Sequence, residues 1–148
     1  LLLAAFLILL NGFFVAAEFA LVKVRATQLD TLIQQGNTSA RLARGILNKL
    51  DAYLSATQLG ITIASLGLGW VGEPAVAALI HPLLHRLGIE DPATQETIAV
   101  AVGFTLISFL HIVVGEIAPK SMAIAKPSST SLAAAVPMRI FYFIFYPF

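Results

Sequence analysis

The sequence predicts an all-α integral membrane domain: three transmembrane helices, short cytoplasmic helices and a C-terminal juxtamembrane helix. Two observations carry this. Hydrophobic residues make up 58% of the 148 positions and charged residues only 11%, and the mean hydropathy of +0.87 is far above that of an ordinary soluble domain. The apolar residues also gather into runs of the length a helix needs to cross hydrocarbon, about 20 residues. Residues 1–148 are expected to form a single transmembrane domain.

The first run, residues 1–22, is interrupted only by Glu18. It opens in mid-run with no initiator Met and no basic residue ahead of it, and no cleavage pattern precedes Glu18. It is therefore expected to be a spanning helix of a chain trimmed at its start, not a secretion signal. The second and third spans are expected at 52–72 and 97–115. A last apolar segment, "SLAAAVPMRIFYFIFYPF" at 131–148, has Pro137 and Arg139 near its middle and Pro147 near its end. Burying that arginine at the bilayer centre costs roughly 2.5–3.5 kcal/mol or more, and its aromatic residues suit the headgroup boundary. A broken, amphipathic or interfacial helix over about 128–148 is expected, with a fourth span as the alternative.

Between the first two spans, "TQLDTLIQQGNTSARLARGILNKLD" reads as helix, break, helix. The first helix is expected to run on from the membrane to about residue 35. Gly36-Asn37 forms the turn, and Thr38 or Ser39 caps a helix over about 39–49. This connection holds Lys23, Arg25, Arg41, Arg44 and Lys49, whereas residues 81–96 hold only Arg86 against Glu90, Asp91 and Glu96. The first connection is therefore cytoplasmic, the N-terminus outside and the C-terminal end cytoplasmic, in a multi-pass protein of the cell membrane.

Composition also narrows function. The net charge is +1 and the basic residues form no stripe, so nucleic acid is not an expected partner. With no cysteine, disulfides and thiolate metal sites are excluded. No phosphate-binding glycine loop or nucleophile triad is present, so no enzymatic activity is expected.

Function must then lie in the polar residues of the spans. Ser55, Gln58, Thr62 and Ser65 follow one helical stripe, and beside it Ala56, Gly60 and Ala64 form a small-residue stripe that lets a neighbour approach. Asn11 and Glu18, seven residues apart, share a face with Val15 between them. Thr105, Ser108, His111 and Gly115 descend one side of the third span to Glu116. These stripes are either hydrogen-bonded glue between helices or the lining of a polar site. Carboxylates at membrane depth favour a site, although Glu18 can reach Lys23 or Arg25, and Glu116 can reach Lys120.

Pro119 cannot donate to residue 115, which would leave the Gly115 carbonyl free beside Glu116. A free carbonyl, a glycine that allows approach and a carboxylate suit a hard cation such as magnesium, calcium or sodium. His111, five residues and about 140° from Glu116 on an α-helix, is read as a hydrogen-bonded packing residue. His81 and His85 lack a third zinc ligand. Trp70 in "GLGWVGEP" is read as an interfacial anchor, with Glu73-Pro74 marking a membrane exit or a break.

Three segments, "LNGFFVAAEFALVKVR", "LSATQLGITIASLGLGWVGEP" and "HIVVGEIAPKSMAI", in this order, resemble the transmembrane domain of the CorC/CNNM family of magnesium transporters, called hemolysin-C-like in bacteria. The resemblance implies a homodimer of three-helix subunits with a juxtamembrane belt, a pair of cytosolic CBS domains following in the full-length protein, and magnesium export coupled to sodium. By position it implies an ion site drawn from Asn11, Val15 and Glu18, from Gln58, Thr62 and Ser65, and from Gly115 and Glu116, with Pro119 as hinge. Val15 stands where many relatives have serine, and Thr62 and Ser65 where they have asparagine. Alternating access about Gly115 and Pro119 is the expected mechanism. The contrasting expectations are a non-transporting dimeric anchor for cytosolic regulatory domains and a carrier of another cation.

Overall fold

A computed structural model describes residues 1–146. They form α1 (Leu2–Lys23), α2 (Ala26–Gln34), α3 (Thr38–Leu47), α4 (Leu50–Arg86), α5 (Pro92–Ile112), a π-helical turn (Val113–Ile117), α6 (Ala118–Ala125) and α7 (Pro127–Phe145), with no strand among the described residues. Four helical stretches have the length and apolarity to cross a membrane: α1, α4, the continuous rod Pro92–Ala125, and α7. That is one more than the three predicted.

The most buried of the four is α1: 50% of its apolar window is buried, against 22% for each of the others. It packs against α4, the π turn, α6 and α7. Its small residues explain the position. A Cβ on Gly12 would lie 2.9 Å from Pro119 Cγ and 3.3 Å from the Val114 carbonyl, so only glycine lets α1 lie so close to the π turn. On the facing helix, a Cβ on Gly60 would fall 2.5 Å from the Phe14 ring. Ala56, Gly60 and Ala64 are all buried, as the small-residue stripe requires.

Four expectations about the helices change. The first helix does not run on to residue 35 but stops at Lys23, because Val24 is extended and Gln28 opens a new helix by accepting from the Arg25 backbone N–H at 3.2 Å. Gly36 makes the turn at φ +83°, but the cap of α3 is Asn37, whose Oδ1 accepts from Ala40 N at 3.0 Å. Its amide oxygen does the work expected of Thr38 or Ser39. The helix of the second span does not break at Glu73-Pro74. It continues through Pro74 and Pro82 to Arg86, a length of about 55 Å. A Cβ on Gly72 would come within 3.1 Å of Ile107, and one on Gly103 within 3.2 Å of the Glu73 carbonyl; this tight seam against α5 holds α4 together past Pro74.

The fourth change is α7, which is unbroken at Pro137. Ser131, Ala134, Ala135 and Met138 form a buried i, i+3, i+4, i+7 face, and α7 packs on α1 and α3. The end of the predicted helix, Pro147 and Phe148, lies outside the described residues. Leu29, Ala40, Ala43 and Ile46 join Leu21, Tyr53 and Met138 in one apolar cluster, which ties α2 and α3 to the end of the bundle. At the opposite end, Gly88 at φ +80° closes α4, and Asp91 caps α5 by accepting from the Thr94 N–H at 2.9 Å. The side-chain and backbone bonds from Thr94 hold the Asp91 carboxyl below its ordinary range.

Candidate functional site

Where α1, α4, the end of α5 and the π turn meet, five polar groups form a connected set. Asn11, 0% exposed, donates from Nδ2 to the Gly115 carbonyl at 2.9 Å. Its Oδ1 accepts from Ser65 Oγ at 3.2 Å. The same hydroxyl lies 3.4 Å from His111 Nε2, and that nitrogen lies 3.9 Å from Glu116 Oε1. With its proton given to Asn11, the Ser65 oxygen is left as an acceptor facing His111 Nε2. The Glu116 side chain is 50% exposed, so it stands at the rim of the cluster.

The π turn explains why His111 is here. At the α-helical 100° per residue, His111 and Glu116 point apart, which led the sequence reading to treat His111 as packing. A π register closes its turn between residues i and i+5, so the two side chains come to one face. The Ala118 N–H bonds back to the Val113 carbonyl in that register. Pro119 has no N–H for Gly115, its partner in α spacing, or for Val114, its partner in π spacing. Pro119 thus takes away the α-helical donor of the Gly115 carbonyl, and Asn11 supplies one from the facing helix. A Cβ on Gly115 would lie 3.0 Å from His111 and 3.3 Å from Asn11 Nδ2, so glycine is needed for the contact.

The other predicted residues stand apart from the cluster. Gln58 and Thr62 are exposed, and the Thr62 hydroxyl is turned back onto the Gln58 carbonyl at 2.8 Å. Ser55 likewise donates to the Asp51 carbonyl. Val15 is buried and offers no side-chain oxygen. Glu18 is partly exposed, about 10 Å further along α1 than Asn11. Among the described residues it forms no ion pair with Lys23 or Arg25, nor does Glu116 with Lys120. Lys120 instead lies over the Phe19 ring, 4.7 Å from its centroid.

A cleft of about 190 Å³ between α4 and α5 adjoins the cluster, lined by Ser65, Gly69, Glu73, Ser108 and His111 with apolar neighbours. Glu73, read from sequence as a boundary marker, thus lies beside the cluster. The i, i+4, i+8 spacing of Ser65, Gly69 and Glu73 was the signal for it. Among the described residues no three His, Asp or Glu side chains converge as a metal site. Any cation here would rely on amide, carbonyl and hydroxyl oxygens with one carboxylate, a donor set suited to hard cations.

Buried polar groups joining apolar helices of spanning length define a multi-pass helical membrane domain. The family model described as the Cyclin M transmembrane N-terminal domain, CNNM, matches residues 2–148, and the chain belongs to that family, as its three motifs implied. It is 51% identical over 148 residues to UPF0053 protein YhdT of Bacillus subtilis, covering 100% of this chain and 32% of that protein. It is 46% identical to UPF0053 protein YugS of the same organism, covering 99% and 34%. Against Uncharacterized protein Rv1841c of Mycobacterium tuberculosis the identity is 37%, covering 99% and 41%. The chain thus spans about a third of the length of the first two relatives.

Proposed function

We propose that this domain carries a hard divalent cation, magnesium, out of the cell by alternating access, with sodium as the coupling ion. The observation that carries this is the meeting of the Gly115 carbonyl, the Asn11 amide, the Ser65 hydroxyl and the Glu116 carboxylate at a π turn inside the bundle. Such turns recur at functional sites because they free backbone groups. In the arrangement described, the Asn11 amide N–H occupies the Gly115 carbonyl. Turning that amide over would set Oδ1 beside the carbonyl oxygen, two acceptors that repel unless a cation lies between them. Cation binding and rotation of Asn11 are therefore one event.

In this reading α1, α4 and the Pro92–Ala125 rod span, α7 forms a belt at the cytoplasmic interface, the N-terminus is outside, and two copies pair in the cell membrane. Glu18, nearer the cytoplasmic end of α1, gathers cations, and Val15 presents only its backbone carbonyl. Gln58 and Thr62 serve the ion only after α1 and α4 shift. Rearrangement about the π turn and Pro119 then opens the site outward. CBS domains following in the full-length protein would regulate this step.

The competing reading is a dimeric anchor for cytosolic domains. It draws on a specific observation: among the described residues every buried side-chain nitrogen and oxygen has a hydrogen-bond partner. Titrating magnesium against thermal unfolding, with sodium, calcium and cobalt as competitors, separates the two. A carrier gains about 2.7 kcal/mol at one hundred times its Kd; an anchor gives a flat titration, and that result would remove the transport proposal.

A further inference from the structure

We propose that a basic, tyrosine-lined pocket between α3, α4 and α7 binds the phosphate headgroup of an anionic phospholipid, at a place remote from the cation cluster and independent of its function. The pocket, about 290 Å³, is lined by Arg41, Lys49 and Arg139 together with Tyr53, Tyr142 and Tyr146. Three cations converge from three helical segments: Arg41 from α3, Lys49 from the junction before α4, and Arg139 from α7. Among the described residues none of the three forms an ion pair, although Arg44, close by on α3, is paired with Asp30.

The walls are ordered for a ligand. Tyr53 and Tyr142 stack at 4.3 Å with ring planes 18° apart, and Arg139 lies over the Phe143 ring at 5.8 Å. This leaves guanidinium N–H groups free to bond phosphate oxygens. Arg139 was the residue whose burial in lipid made α7 look unsuited to a span; a bound phosphate supplies its missing partner.

What selects a lipid over a free phosphate is a second groove. Tyr142 and Tyr146 also line a cleft of about 360 Å³ with Ala52, Ser55, Ala56, Leu59 and Phe145. It shares Tyr142 and Tyr146 with the basic pocket, lies between α4 and α7 and is mostly apolar, so it can take an acyl chain while the three cations hold the headgroup. The excess of basic residues in this connection puts the pocket at the cytoplasmic leaflet, where anionic lipids lie and basic pockets between helices bind their headgroups.

Native mass spectrometry of the detergent-solubilised chain, after exchange into phosphatidylglycerol or phosphatidylcholine, tests this. Retention of phosphatidylglycerol over phosphatidylcholine is expected, with affinity falling about fivefold for each cation removed in Arg41→Gln, Lys49→Gln and Arg139→Gln. The charge-conserving set Arg41→Lys, Lys49→Arg and Arg139→Lys should retain the lipid. Lys49→Gln alone, in an exposed connection, keeps the test available if the triple variant does not fold. Glycerol phosphate and inorganic phosphate should fail to displace the lipid. Equal retention of both lipids, unchanged retention in the Gln variants, or displacement by free phosphate would each overturn the proposal.

Discussion

On the proposed carrier role, Glu116→Gln is expected to abolish magnesium-dependent thermal stabilisation and magnesium flux in reconstituted vesicles, while the ion-free protein should unfold at nearly the wild-type temperature. The second half follows from the contacts. Glu116 is half-exposed, and its contact at the cluster is a 3.9 Å approach to His111 Nε2, too long to contribute much to the fold. The first half follows from the ion. Magnesium gives up water reluctantly and needs carboxylate charge or retained waters, and the other oxygens at the cluster, from Asn11, Ser65 and Gly115, are neutral. Glutamine keeps the shape and removes the charge. A variant with the wild-type magnesium response would exclude Glu116 as a ligand.

Asn11→Leu has the largest expected effect on the fold. Leucine nearly matches asparagine in size, but it leaves the Gly115 carbonyl without the donor at 2.9 Å and the Ser65 hydroxyl without its acceptor at 3.2 Å. Orphaning a buried polar group costs about 1–3 kcal/mol, and no water is at hand in a bilayer to replace the partner. Denaturant-induced unfolding in mixed micelles should read that loss, and magnesium should restore none of it. Ser65→Ala should cost less, near the average of about 0.6 kcal/mol for a hydrogen bond between membrane helices. A neutral Asn11→Leu would show that the cluster does not bind α1 to the π turn.

The long apolar helices α1, α4 and α5 were legible in the sequence because hydropathy over some twenty residues is a long-range average that local detail does not upset. Boundaries were less legible. The break after Lys23 is set by one side-chain bond from Arg25 N to Gln28, which no periodicity announces, and the continuity of α4 past Pro74 depends on Gly72 and Gly103 packing across to the partner helix. At the site, Asn11, Ser65, Gly115 and Glu116 were legible as polar residues at membrane depth. Gln58 and Thr62 were grouped with Ser65 because stripe geometry tolerates about 100° of spread, whereas α1 covers only the part of the stripe that holds Ser65. His111 was set aside by an angular argument that assumed 3.6 residues per turn. The helix departs from that value at the one place where Pro119 makes the ordinary register impossible to complete.

The withdrawal of Lys120 onto Phe19 has an electrical consequence. With the ammonium stacked on an aromatic face, Glu116 has no lysine beside it to balance its charge. In the proposed carrier, seating a divalent ion beside Glu116 adds two positive charges to the cluster, so the loaded and unloaded forms respond differently to the membrane voltage. Each elementary charge moved through 100 mV is worth about 2.3 kcal/mol; a carrier built this way is electrogenic unless a counter-ion returns with each cycle.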